Sequence, residues 1–231
     1  LWDNPLDTDS KTLNIIKLYK NGTGVTKDQE KDGHAYIKRQ CMHCVDPSCV
    51  SACPVSALKK RPSDGVVIYD KGACIGCRYC QLACPYMIPK FEFEKTFPQI
   101  RKCQLCSHRL EKGDIAACAE FCPTGATVFG KVEELKRIAE ARMKAAPKKY
   151  LNRIYGLTEA GGTQCLYLTA ADVPFEKLGM PDATQHSIPA LATGIQHAVY
   201  QGFIAPAALY AVLGFVVWRN RRSEAKKEEH K

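Results

Sequence analysis

The chain has no Ser-His-Asp set, no phosphate-binding loop and no carboxylate pair in a recognisable context, so no catalytic residue is expected on it and any reaction it serves belongs to its partners. Its start, Leu1-Trp2-Asp3-Asn4-Pro5, has neither the basic opening nor the apolar run of a signal peptide. Without an initiating methionine it reads as a processed or trimmed chain, and a segment upstream is expected. Nor is there any Lys or Arg between Gly179 and Trp218. Inside that gap, residues 198–218 carry Gln201 as their only strongly polar side chain. At about 1.5 Å per residue they would span about 31 Å as a helix, the thickness of a bilayer's hydrocarbon core.

What is present is ordinary globular composition, 45% apolar and 25% charged, which excludes a disordered or collagen-like chain. The 231 residues suit one to two domains. A net charge of +9 would suit an anionic partner such as nucleic acid or lipid, but the cysteines are more informative. Of 13, all but Cys165 fall in three tight groups between Cys41 and Cys122.

The second group, Cys74-x2-Cys77-x2-Cys80-x3-Cys84-Pro85, has the spacing that wraps three thiolates around one iron–sulfur cube and sends the fourth to a partner cube. The first, Cys41-x2-Cys44-x4-Cys49-x3-Cys53-Pro54, is the same motif with Asp46-Pro47 added in its second gap. Crossing the fourth cysteines gives one [4Fe-4S] cube on Cys41, Cys44, Cys49 and Cys84 and another on Cys74, Cys77, Cys80 and Cys53. The third group, Cys103-x2-Cys106-x11-Cys118-x3-Cys122-Pro123, keeps the ending but has a long insertion. By the same rule Cys103, Cys106 and Cys118 hold a third cube whose fourth ligand lies elsewhere, and Cys122 belongs to a fourth. A fourth cysteine group, upstream of Leu1, would supply both. Structural zinc typically uses ligand pairs separated by a longer stretch, and closely repeated cysteine triplets cannot all form disulfides. Cys165 sits in an apolar run, as a small buried hydrophobe does, with ligation the alternative.

Between the groups, Gly65–Asp70 reads as a short strand, and Ala126–Gly130 repeats that signal. Val132, Leu135, Ile138 and Ala139 recur at helical spacing, with Glu133 and Glu134 in the first turn and a stop near Pro147. Residues 1–40 look polar, with a surface amphipathic stretch around Leu13, Ile15, Ile16 and Tyr19. Residues 151–187, with one strand-like run at Cys165–Leu168, read as a loop-rich strap. Arg219, Arg221 and Arg222 crowd the end of the apolar run, which places the tail in the cytoplasm and the cysteine domain outside.

Cys41-Met42-His43-Cys44-Val45-Asp46-Pro47-Ser48-Cys49, the insertion in the last group and Cys122-Pro123-Thr124-Gly125-Ala126 resemble the four-cluster ferredoxin-like subunits of membrane-associated oxidoreductases. Tyr36-Ile37-Lys38-Arg39-Gln40, Cys53 to Lys60, Gly161-Gly162-Thr163-Gln164 and Ile195-Gln196-His197 before a terminal apolar run are similar to the iron–sulfur subunit of hydrogenase-2-type nickel–iron hydrogenases. The departure is the missing first cysteine group.

The resemblance implies an α+β fold of tandem bacterial-type ferredoxin (4Fe-4S dicluster) units with loop-rich insertions and one C-terminal transmembrane helix. It divides the chain into a cluster domain at 1–150, the strap at 151–187, an anchor at 188–218 and a basic tail at 219–231. Four [4Fe-4S] clusters are expected in the complete protein, two of them fully ligated by this sequence. The function implied is electron relay between the small and large subunits of a hydrogenase and an integral membrane quinone-reactive subunit. The chain would cross the inner membrane once, with its clusters periplasmic, its C-terminus cytoplasmic and no nucleic acid bound. The alternatives are the β subunit of a membrane-bound formate dehydrogenase and, from another class, a zinc-bearing nucleic-acid-binding module. His43 either tunes a cluster by hydrogen bonding or faces solvent, and His197 either approaches a neighbouring subunit's quinone or haem or is simply interfacial.

Overall fold

In the computed structural model, which describes residues 5, 7–20, 23–25, 34–190, 202, 206–219 and 222, the polar N-terminal segment folds as β-structure. β1 (Ile15–Lys20) is the central strand of an antiparallel sheet, between β2 (Thr23–Val25) and β3 (His34–Arg39). Its β-branched and aromatic residues suit a pleat, and Leu18, Tyr19 and Ile37 are buried. The expected surface segment is therefore part of the core.

Short elements carry the cysteine groups. α1 (Ser48–Ser51) starts directly after Pro47, whose fixed φ suits a helix entry. β4 (Leu58–Lys60) pairs antiparallel with β5 (Val67–Tyr69), the strand expected within Gly65–Asp70. α2 (Tyr79–Ala83) packs against α1. The two-residue strands β6 (Lys90–Phe91) and β7 (Ile100–Arg101) close the next loop, and α3 (Ser107–Leu110) and α4 (Ala117–Glu120) carry the third group. α5 (Val132–Ala145) has Glu133 and Glu134 in its first turn and Arg142 and Lys144 in its last, charges that complement the helix dipole. Ala126–Gly130 forms no strand: the β-like composition is there, but a ladder needs a paired segment, and none faces it among the described residues.

Residues 151–187 do more than cover the domain. Tyr155, Phe175 and Leu178 are fully buried in the same core as Tyr19, Ile37, Met42 and Tyr86, with the Tyr155 and Phe175 rings 5.1 Å apart. The strand-like run at Cys165–Leu168 makes only an isolated bridge, Tyr155 to Tyr167. A smaller core joins Cys49, Leu58, Val67, Cys80 and Ile100.

Residues 1–189 form one compact unit and residues 190–231 another. In the second, 206–219 is helical and exposed along its length, including Leu209, Val212, Leu213, Phe215 and Val217. Among the described residues no helix is long and apolar enough to cross a membrane. Most of 198–205, His197 and nearly all of the tail at 219–231 lie outside the described residues.

Candidate metal centre

The first Cys-x2-Cys step of each group shares one backbone device. The residue before the second cysteine is left-handed in each: His43 (φ 45°), Gly76 (69°) and Leu105 (50°). That bend turns its N–H back onto the first cysteine's sulfur, at 3.4 Å for Gly76 to Cys74 and 3.4 Å for Leu105 to Cys103, with His43 donating to Cys41 in the same way. A left-handed L-residue costs about 1–2 kcal/mol, so His43 and Leu105 carry strain at the sites where the loop must close.

The three Cys-Pro endings repeat a second device. Three residues after Cys53, Cys84 and Cys122 stand the left-handed Ser56, Met87 and Gly125 (φ 51°, 52° and 62°). Each closes a turn by donating its N–H to the cysteine's carbonyl oxygen, at 3.3, 3.0 and 3.2 Å. The following N–H then reaches the sulfur: Ala57 lies 3.2 Å from Cys53 Sγ, and Ile88 and Ala126 act likewise on Cys84 and Cys122. Backbone N–H donors favour the thiolate, the form that ligates metal.

These loops surround two cavities. One, of about 340 Å³, is lined by Cys41, Cys44, Cys49 and Cys84 together with Val67, Tyr86, Ile88 and Lys102. The other, of about 290 Å³, is lined by Cys53, Cys74, Cys77 and Cys80 with Leu58, Tyr69, Arg78 and Ile100. Cys49 and Cys80 sit within α1 and α2, whereas Cys53 and Cys84 follow those helices; because the helices pack together, each trailing cysteine reaches the other group's cavity.

The donor set fits a multi-iron cube. Each lining has four cysteine sulfurs, largely apolar walls and no carboxylate. Among the described residues no three His, Cys, Asp or Glu side chains converge on a single ion, as a zinc site at about 2.0–2.3 Å per ligand would require. The hydroxyls of Tyr69 and Tyr86, one in each lining, and Nε2 of His43 are buried without a hydrogen-bond partner among the described residues. A buried donor left so costs about 1–3 kcal/mol, a cost removed by a sulfur-rich group in the cavity.

Without metal the thiols differ sharply. Burial works against ionisation of Cys41, but the Lys102 charge and His43 outweigh it and bring the thiol down to about 6. Burial, then the charges of Cys41 and Cys84, push Cys49 up to about 12, and burial with neighbouring Cys53 pushes Cys80 up to about 11. Cys44 and Cys84 are likewise raised, chiefly by burial. Loading the first cavity therefore releases protons from Cys44, Cys49 and Cys84, and loading the second releases one from Cys80.

The third group is less enclosed. Cys103 packs on the main core, and burial, with the charges of Cys41 and Cys118 adding to it, raises its thiol against the lowering effect of the Leu105 N–H and the Lys102 charge. Cys106 caps α3 in a left-handed conformation. The Thr127 backbone N–H and the Thr124 hydroxyl, 3.6 Å from Sγ, bring Cys122 down to about 6. Cys165 stands apart: burial pushes its thiol up to about 12, its Sγ donates to the Cys41 carbonyl oxygen at 3.4 Å and Gln40 Nε2 donates to it at 3.4 Å. These are the contacts of a protonated, structural thiol.

His43 does not face solvent. It is fully buried, and its Nδ1 accepts the Val67 N–H at 3.0 Å, which leaves the proton on Nε2. Sequence reasoning passed over Lys102, Tyr69 and Tyr86, whose only signal is adjacency to cysteines or a strand, and over the left-handed positions, of which glycine marks just Gly76 and Gly125.

A family model for the 4Fe-4S dicluster domain matches residues 33–132. Over 248 aligned positions, the chain is 44% identical to the hydrogenase-2 operon protein HybA of Escherichia coli O157:H7, spanning 96% of this chain and 75% of that protein. Identity to the formate dehydrogenase iron–sulfur subunit of Haemophilus influenzae is 35%, over 80% of this chain and 58% of the relative. To the nitrate-inducible formate dehydrogenase iron–sulfur subunit of Escherichia coli K12 it is 34%, over 78% and 60%.

Proposed function

The chain belongs to the family of HybA-like iron–sulfur proteins built on a 4Fe-4S dicluster domain, and from that membership we propose how its residues carry electrons. It is an electron-transfer subunit of a hydrogenase complex and carries [4Fe-4S] clusters. The clusters supply one-electron storage; the polypeptide supplies thiolates, backbone N–H donors and a water-poor wall around each.

Cys41, Cys44, Cys49 and Cys84 hold one cluster, and Cys53, Cys74, Cys77 and Cys80 the second. Cys103, Cys106 and Cys118 hold a third, completed by a ligand outside these 231 residues, and Cys122 contributes to a fourth. The observation that carries this reading is the pair of cavities, each lined by four cysteines from two groups.

The specific partners are hydrogenase small and large subunits on one side and a quinone-reactive integral membrane subunit on the other. Residues 198–218 cross the inner membrane once, with the cluster domain periplasmic and the C-terminus cytoplasmic. The exposed apolar helix at 206–219 supports this, since such a face needs an apolar surrounding. So do Trp218 and Arg222, whose guanidinium lies 4.9 Å from the indole centre, residue types that anchor a helix end at a lipid interface.

Serine at Cys77 tests the relay. Hydrogen-driven reduction of a soluble dye by the catalytic pair is expected to survive, while hydrogen-driven quinone reduction falls sharply and one paramagnetic signal changes. Unchanged quinone reduction in the absence of the whole chain would overturn the reading, and formate as donor would replace it with the formate dehydrogenase alternative.

A further inference from the structure

Lys102 is 3% exposed and lines the cavity of Cys41, Cys44, Cys49 and Cys84. Its Nζ donates to the Val67 carbonyl oxygen and, at 3.0 Å, to that of Cys103. No carboxylate pairs with it among the described residues. Burying an unpaired ammonium costs several kcal/mol, so its counter-charge must come from the cavity itself.

The second cavity lacks an equivalent. Its lining cation, Arg78, is exposed, with its guanidinium over the rings of Phe91 and Phe93 at 5.3 and 5.7 Å. Solvent and salt screen such a charge. Lys60, near the first cavity, bonds the Cys44 carbonyl oxygen at 3.1 Å but is only half-buried. Lys102 is thus the fully buried cation that separates the two cavities electrostatically.

We propose that Lys102 raises the reduction potential of the cluster held by Cys41, Cys44, Cys49 and Cys84 above that of the cluster held by Cys53, Cys74, Cys77 and Cys80, making the first cavity an electron well relative to the second. On reduction one electron enters from the preceding redox centre, no bond is made or broken and no proton need move. The added negative charge falls beside the ammonium, where low dielectric keeps the attraction strong. Lys102 is a positioning charge, not a ligand. The inference rests on the two-cluster reading above.

The test is a redox titration, followed by electron paramagnetic resonance, of the complete protein in its detergent-purified complex. Wild type is compared with Lys102→Met, Lys102→Gln and Lys102→Arg. Glutamine keeps a hydrogen-bond donor for the carbonyls and loses the charge, whereas arginine keeps the charge. Met and Gln are expected to lower one midpoint potential by at least a tenfold change in the reduction equilibrium constant, about 59 mV for one electron. Arg should restore it, with the midpoint of the cluster on Cys53, Cys74, Cys77 and Cys80 unmoved. A wild-type potential in Lys102→Gln overturns the proposal, as does an equal shift of every signal. Loss of the cluster in both Met and Gln also overturns it, since Lys102 would then hold the site together rather than tune it. If wild type itself shows no reducible cubane signals, the two-cluster reading has failed instead.

Discussion

Gly156 adopts φ 102°, and a Cβ built there would lie 2.4 Å from the Cys165 carbonyl oxygen and 2.6 Å from Thr163 Oγ1. The first is backbone, so nothing flexible can yield. Gly156→Ala should destabilise the folded unit by about 2–4 kcal/mol, combining backbone strain with overpacking. Gly125→Ala is the control: its φ is 62°, yet a Cβ there meets nothing within 4 Å, and the cost should be about 1 kcal/mol. The temperature at which the cluster absorbance near 400 nm bleaches reads out both, and equal losses would refute the steric account. His43 and Leu105 show why glycine is a poor guide to these loops. Their left-handed conformations are held by sulfur-directed N–H bonds and packing, so the sequence marks the equivalent position only at Gly76.

Among the elements, the turns of residues 151–187 contribute most that was unforeseen. Glu159 is buried, with Oε1 accepting from Arg153 Nη2 at 2.8 Å and Oε2 from the Gly156 N–H at 2.6 Å. Arg153 also bonds Glu176 at 3.0 Å, so one ion-pair network ties the turn at Glu159–Gly161 to that at Phe175–Leu178. Burial opposes ionisation, but the Arg153 guanidinium and the N–H groups of Gly156 and Thr158 outweigh it and hold the Glu159 carboxyl below the usual glutamate range. With its folded pKa below the unfolded value of about 4.3, the group stabilises the fold above that pH and loses its contribution as pH falls through the folded value. Glu159→Gln should lose about 1–2 kcal/mol near neutrality, the guanidinium being partly in water. Its stability should also fall less steeply than wild type below about pH 4.3. Thermal bleaching measured against pH checks this, and parallel curves would exclude a role for the Glu159 charge.

At the scale of the molecule, the boundary between the two compact units lies after Pro189. Ser187 Oγ donates to Asp46 Oδ2 at 2.5 Å, which fastens the end of the first unit to the first cysteine loop. A chain stopped after Pro189 keeps that tie and both cavities, while it loses the exposed apolar helix at 206–219. It should be soluble without detergent and remain coloured. Sedimentation with membranes in a strain lacking the partner subunits would place the membrane attachment in the first unit instead.

The sequence by itself determined the family and the cluster chemistry, because ligands three residues apart can close on a cube only through a tight loop, and that constraint is written in covalent spacing. It also determined α5, where apolar period, acidic first turn and basic last turn agree locally. Tertiary structure alone decided what surrounds the sulfurs. Whether His43 is buried depends on the Val67 N–H of β5, and the burial of Lys102 depends on carbonyls of Val67 and Cys103. The paired strands β1 and β3 and the turns carrying Tyr155 and Phe175 meet in one core although more than a hundred residues separate them. Local propensity carries no information about such distant partners, since burial is a property of what packs against a residue and not of the residue itself.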